Sequence, residues 1–177
     1  MKKKFNTRTL VLTALLIALQ IVFVRLLPIG AGSIRISLGF LPVAVAGMVL
    51  GPVGGGIMAV IADIVGMLLF SRGDVYFPLF TLTEFLYGVG FGLLLHKKEL
   101  SYIKLSIFTL IQFIFLNLVL NSLWLYFYYI MIVSKPQGFW VILTGRTMAA
   151  MVNLPMQLIG VNVVKKYIKK PLEKMYK

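Results

Sequence analysis

Long apolar stretches separated by short loops occupy nearly the whole chain. Their lengths predict membrane helices over about Thr9 to Leu27, Ser37 to Leu50, Val53 to Phe70, Phe77 to Leu95, Leu105 to Val133 and Phe139 to Val164. The stretch between Arg35 and Ser71 is apolar enough for one helix, but at about 1.5 Å per residue it would reach roughly 50 Å, too far for a single crossing. Its middle reads Gly51-Pro52-Val53-Gly54-Gly55-Gly56, a turn signal, so two short helices joined by a tight re-entry are expected there. The predicted fold is an all-α membrane protein, a six-transmembrane-helix bundle in which residues 1-177 form a single integral membrane domain.

Charge orients that bundle. With six spans, thirteen of the eighteen basic residues fall on the side of the N terminus, and only Arg25, Arg35, Arg72 and Lys135 fall on the other, with Arg146 inside a span. Cytoplasmic loops are enriched in Lys and Arg, so both termini are expected in the cytoplasm; five spans would reverse the bias. The basic start MKKKFNTRTL resembles a signal peptide, but no small-residue cleavage pattern follows, and the first apolar run is expected to be retained.

Composition narrows the chemistry. A hydrophobic content of 60% and a mean hydropathy of +0.96 describe a multi-pass protein of a membrane, expected to be a bacterial cytoplasmic membrane. The chain has no cysteine and one histidine, His96, so disulfides, thiolate chemistry and histidine metal clusters are excluded, and no cofactor is expected. The net charge of +13 gathers at span ends, where it reports orientation in the bilayer and not nucleic-acid binding. No GxxxxGK[ST] motif occurs, so nucleotide hydrolysis would have to come from other subunits. A lipid-modifying enzyme would need a metal-binding carboxylate cluster, and only Asp63 and Glu84 lie within spans.

Those two carboxylates and Arg146 are the candidate functional residues, because an unpaired charge within an apolar span costs several kcal/mol. Counting about 1.5 Å per residue from the outer span ends places Asp63, Glu84 and Arg146 near 10 Å depth, and Asn121 and Trp124 at roughly 14 to 18 Å. Groups from four helices thus share a layer in the outer half of the membrane. That layer reads either as a buried ion-pair network, with Arg146 on Asp63 or Glu84, or as a pocket for a polar heterocyclic ligand on which Trp124 stacks. Asn153 and Gln157 continue the last helix inward, as a pocket floor or as polar contacts between helices. Tyr126, Tyr128 and Tyr129 read as an aromatic interface belt.

The first outer loop, RLLPIGAGSIR, sets Arg25 and Arg35 around a Pro/Gly/Ser segment, the composition of a positively charged lid. Arg72-Gly73-Asp74 in the second outer loop is read as a turn. In the first helix Ala14 and Ala18 form a small-xxx-small face, for internal packing or for docking of another membrane subunit.

The segment from Ile34 to Gly66, IRISLGFLPVAVAGMVLGPVGGGIMAVIADIVG, resembles the signature region of S components of energy-coupling factor vitamin transporters, most closely their folate group. The Ala-xxx-Ala pair in helix one, and Gly-Arg-Thr followed by Asn-Leu-Pro in helix six, extend the likeness. It implies a subunit that captures a vitamin from outside, then docks on a membrane coupling subunit and two ATPase subunits and topples to release it. Ala14 and Ala18 would be the docking face and the first outer loop the gate. The implied ligand is folate, with riboflavin, thiamine or another vitamin, or a non-transport scaffold, as alternatives. Folate's pterin presents an amino group and a ring N–H side by side, which one carboxylate, Asp63 or Glu84, accepts as a pair, and Arg25, Arg35 or Arg146 would meet its glutamate carboxylates.

Overall fold

The computed structural model describes residues 7–27, 36–71, 75–96, 101–133 and 137–168. Among these residues the regular structure is helical, and five helices are long and apolar enough to cross a membrane: α1 (Thr7–Leu26), α2 (Phe40–Leu69), α3 (Pro78–Leu95), α4 (Tyr102–Val133) and α5 (Phe139–Tyr167). The loop arginines Arg35 and Arg72 with Gly73 and Asp74, as well as Lys135, lie outside the described residues.

α2 is two helical halves meeting at Gly51, whose φ of 82° and ψ of −176° belong to a region open essentially to glycine. Pro52 fixes the break. It disfavours helical geometry at the residue before it and suits the first position of the helix that follows. The halves fold back on each other: a Cβ added to Gly55 would lie 2.7 Å from Gly47 Cα, whereas a straight helix separates residues eight apart by about 12 Å. The break also leaves the Met48 carbonyl, in the last turn of the first half, without a helical donor. His96, just past α3, replaces it, its Nδ1 lying 2.8 Å from that oxygen, so Nδ1 carries the proton.

The re-entrant pair is welded to α3 through glycines. A Cβ at Gly47 would come within 2.6 Å of the Gly92 nitrogen, and one at Gly88 within 2.6 Å of the Gly56 nitrogen. Backbones at such range leave no room for a side chain, so three helical segments meet at main-chain contact. Around this seam Val43, Ala44, Met48, Ala59, Phe91 and Leu94 join Leu105 and Leu116 of α4 and Val161 and Val164 of α5 in the main core. α1 attaches separately, through Leu16 against Ala46, Met58 and Ala62. Large apolar side chains such as Leu68, Ile103, Trp140 and Met151 point outward, as a lipid-facing surface requires.

α4 departs from regular helix twice, with wide i→i+5 turns over Phe113–Leu120 and Tyr129–Val133. α1 ends in another, over Val22–Leu26, which keeps Arg25 on the helix and not in a loop.

Candidate functional site

At the end of the bundle opposite Thr7, a cavity of about 600 Å³ opens between all five helices. Its volume falls in the usual range for small-molecule sites, about 300–1,000 Å³. Arg25, Asp63, Glu84, Asn121, Arg146 and Asn153 all line it.

On one wall Arg25 Nη2 of α1 lies 3.2 Å from Asp63 Oδ1 in the second half of α2. Asp63 Oδ2 accepts the Thr81 hydroxyl at 2.7 Å, and Thr81 Oγ lies 3.0 Å from the Tyr76 hydroxyl. Thr81 has one proton and gives it to the carboxylate, so Tyr76 is the donor to Thr81. Both Asp63 oxygens are therefore engaged within the protein. Glu84 sits one turn along α3 from Thr81, on the same face. Among the described residues its carboxylate has no hydrogen-bond or ion-pair partner.

Arg146 pairs with neither carboxylate, contrary to the ion-pair alternative read from the sequence. Its Nη2 donates to Asn117 twice, at 2.7 Å to Oδ1 and 3.0 Å to the main-chain oxygen, within the first wide turn of α4. Asn153 is a brace. It donates to the Ala149 carbonyl at 3.0 Å and accepts the Ser37 N–H at 3.4 Å, while the Ser37 hydroxyl bonds the Phe23 carbonyl at 3.0 Å. The segment leading into α2 is thereby held against both α1 and α5.

Trp124 is not part of the lining. Its indole N–H donates to Thr83 Oγ at 3.2 Å in the α3–α4 packing, and its ring lies against Phe127. Asn121, Leu125 and Tyr128 recur at i, i+4 and i+7 and share the inward face, leaving Trp124 on the flank toward α3. The aromatic surface of the cavity comes instead from Tyr76, Phe77, Phe80, Tyr128 and Tyr129. Phe77 and Tyr128 meet edge to face with centroids 5.8 Å apart, joining α4 to the start of α3. Tyr128 and Tyr129, which the sequence assigns to an interface belt, thus face inward.

Five further lining atoms are buried with no partner among the described residues: Gln20 Oε1, Tyr87 OH, Asn121 Oδ1, Arg146 Nε and Gln157 Nε2. Each such group costs about 1–3 kcal/mol unless something bonds it. Together with Glu84 they bring unpaired acceptors and donors into one cavity. No group of three or more His, Cys, Asp or Glu that could hold a metal ion is assembled among the described residues.

Residues 8–164 match the family described as "ECF transporter, substrate-specific component". The chain is 39% identical over 123 residues to the folate transporter FolT of Clostridium novyi (strain NT), covering 70% of each chain. It is 28% identical over 156 residues to the folate transporter FolT of Leuconostoc mesenteroides subsp. mesenteroides, covering 88% of this chain and 83% of that one. Its fold is similar to a crystal structure of FolT bound with folic acid, with a TM-score of 0.81 and 32% identity over 93% of this chain and 96% of the other.

Proposed function

We infer the function from one premise: the chain belongs to the family of substrate-specific components of energy-coupling factor (ECF) transporters. It is the subunit that captures folate, a reading supported by its FolT relatives and by the likeness to FolT bound with folic acid. Folate binds in the 600 Å³ cavity. The observation that carries this assignment is the Glu84 carboxylate, unpartnered among the described residues in a cavity that also presents five unpaired polar atoms.

Glu84 is the carboxylate that accepts the pterin amino group and ring N–H as a pair, because Asp63 is already engaged by Arg25 and Thr81. Tyr128 and Phe80 supply flat apolar surface for the ring in place of Trp124. Arg146, with Nε unpaired, and Arg25 at the cavity edge are the cations for the glutamate tail, joined by Arg35 of the first outer loop.

The chain crosses the membrane six times with both termini inside. The fold-back at Gly51 makes two crossings of α2, and the thirteen-to-four bias of basic residues sets the orientation. In the cytoplasmic membrane of a bacterium the cavity then faces outward. Transport energy comes from partner subunits, a membrane coupling protein and two ATPases. Ala14 and Ala18 form the docking face for the coupling protein: both are exposed, while Leu16, Gln20 and Ile21 turn inward. That placement favours docking over internal packing.

Isothermal titration of the purified protein with folate, without ATP, tests the site. Glu84→Gln should weaken binding about thirtyfold or more, the loss of a buried charge-assisted pair worth about 2 kcal/mol. Wild-type affinity in that variant would reject Glu84 as the ring acceptor, and absence of folate binding in the unmodified protein would reject folate.

A further inference from the structure

Arg25 and Arg146 both line the 600 Å³ cavity, and their charges are treated differently. Arg25 Nη2 meets a carboxylate, Asp63 Oδ1 at 3.2 Å, so its charge is answered within the chain. Arg146 meets none within ion-pair distance among the described residues. Its partners are the two oxygens of one neutral residue, Asn117 Oδ1 at 2.7 Å and the Asn117 main-chain oxygen at 3.0 Å, both reached from Nη2. That nitrogen carries two hydrogens, and both are spent. The hydrogens on Nη1 and Nε remain, Nε being buried with no partner among the described residues, and the positive charge remains with them.

The local backbone explains how Asn117 offers two acceptors at one point. In a regular helix the Asn121 N–H would bond the Asn117 carbonyl, but in the wide turn over Phe113–Leu120 it bonds that of Leu116. The Asn117 carbonyl is thus released from its regular donor and accepts from α5 across the helix interface. Gripping a guanidinium in this way removes its side-chain freedom before any ligand arrives and leaves its charge uncancelled. A carboxylate at position 117 would grip as well but cancel the charge, and an apolar residue there would leave the guanidinium loose. We propose that Asn117 is a positioning residue for ligand binding, fixing the Arg146 guanidinium with neutral acceptors so that its positive charge serves a carboxylate of the bound molecule. This role rests on the reading of the cavity as a folate site; the carboxylate is then one of the glutamate tail, and Arg146 takes it ahead of the paired Arg25.

Isothermal titration with folate tests it, on the unmodified protein, Asn117→Leu, Arg146→Gln, their double variant and Asn117→Asp, with melting temperatures measured alongside. Asn117→Leu and Arg146→Gln should each weaken folate binding roughly tenfold or more, the loss of a positioned charge-assisted contact. The double variant should bind no more weakly than Arg146→Gln alone, because without the guanidinium Asn117 has nothing to hold. Asn117→Asp, which keeps the shape and the acceptors, should lose folate affinity to a similar degree while melting no lower than the unmodified protein. Additive losses in the double variant would overturn the role, and so would unmodified affinity in Asn117→Leu. Should Asn117→Leu or the double variant not fold, Asn117→Asp decides alone: full folate affinity, or a loss accompanied by a lower melting temperature, would overturn it. Failure of the unmodified protein to bind folate would reject the folate reading itself, whereas normal binding there with any of the other adverse results rejects only the role of Asn117.

Discussion

Arg25 and Asp63 form an ion pair at 3.2 Å across 38 positions of sequence, with side chains only 14% and 16% exposed. It binds the C-terminal end of α1 to the second half of α2 beside the 600 Å³ cavity. Because Asp63 also accepts from Thr81, removing either charge leaves the other buried and only partly compensated.

The two single changes Arg25→Ala and Asp63→Ala should each lower the melting temperature, and the double change should cost less than their sum. A coupling of about 1–2 kcal/mol is expected for a pair at this exposure. Thermal unfolding of the four proteins in one detergent measures it, and strict additivity would show the pair to be energetically idle.

Gly51→Ala should destabilise the protein by about 1–3 kcal/mol, since its backbone geometry is nearly closed to residues with a Cβ. His96→Ala should cost a similar amount by leaving the Met48 carbonyl without a donor. Both losses should appear in melting curves, with folate affinity at low temperature changed little because Gly51 and His96 do not line the cavity.

The chain has no cysteine, so single introduced thiols report topology cleanly. Val75→Cys should react with an impermeant maleimide on intact cells, and Ser101→Cys only after permeabilisation. Labelling of Ser101→Cys from outside would break the six-crossing orientation.

Replacing Ala14 and Ala18 together with Trp should leave folate binding by the isolated protein intact, because neither residue lines the cavity. Uptake in cells supplied with the coupling subunit and ATPases should collapse, as bulky rings prevent close helix approach. Normal uptake would move the docking surface elsewhere.

The helical membrane fold was legible because crossing a bilayer is a local requirement, met by span length and apolarity. The break in α2 was visible for the same reason, as Gly51 and Pro52 declare it within a few residues. Asp63, Glu84, Asn121 and Arg146 were legible as lining residues by depth alone. Rotation about the helix axis was not. α4 carries no charge from Leu105 to Ser134, so no polar stripe fixes which side faces inward, and Trp124 was placed on the cavity while Tyr128 and Tyr129 were placed outside it. Asn117 gave no signal among its apolar neighbours, and its role emerges only from Arg146 opposite it. The glycine seam likewise involves partners such as Gly47 and Gly92, whose meeting no local pattern announces.

The wide turns of α4 make a change of one residue matter differently along its length. An i→i+5 turn holds one residue more than a regular turn, so it takes up an extra residue while the helix beyond keeps its facing; the same residue added to regular helix would rotate everything beyond it by about 100° around the axis. Deleting a single residue within Phe113–Leu120 would therefore close the wide turn to a regular one and leave Asn121, Leu125 and Tyr128 facing the cavity, whereas a deletion in the regular turns of Tyr102–Gln112 would swing them away from it together. Natural variation should accordingly place single-residue insertions and deletions of this helix within Phe113–Leu120 and keep the count fixed in its regular turns, a constraint that falls on helical phase rather than on chemistry.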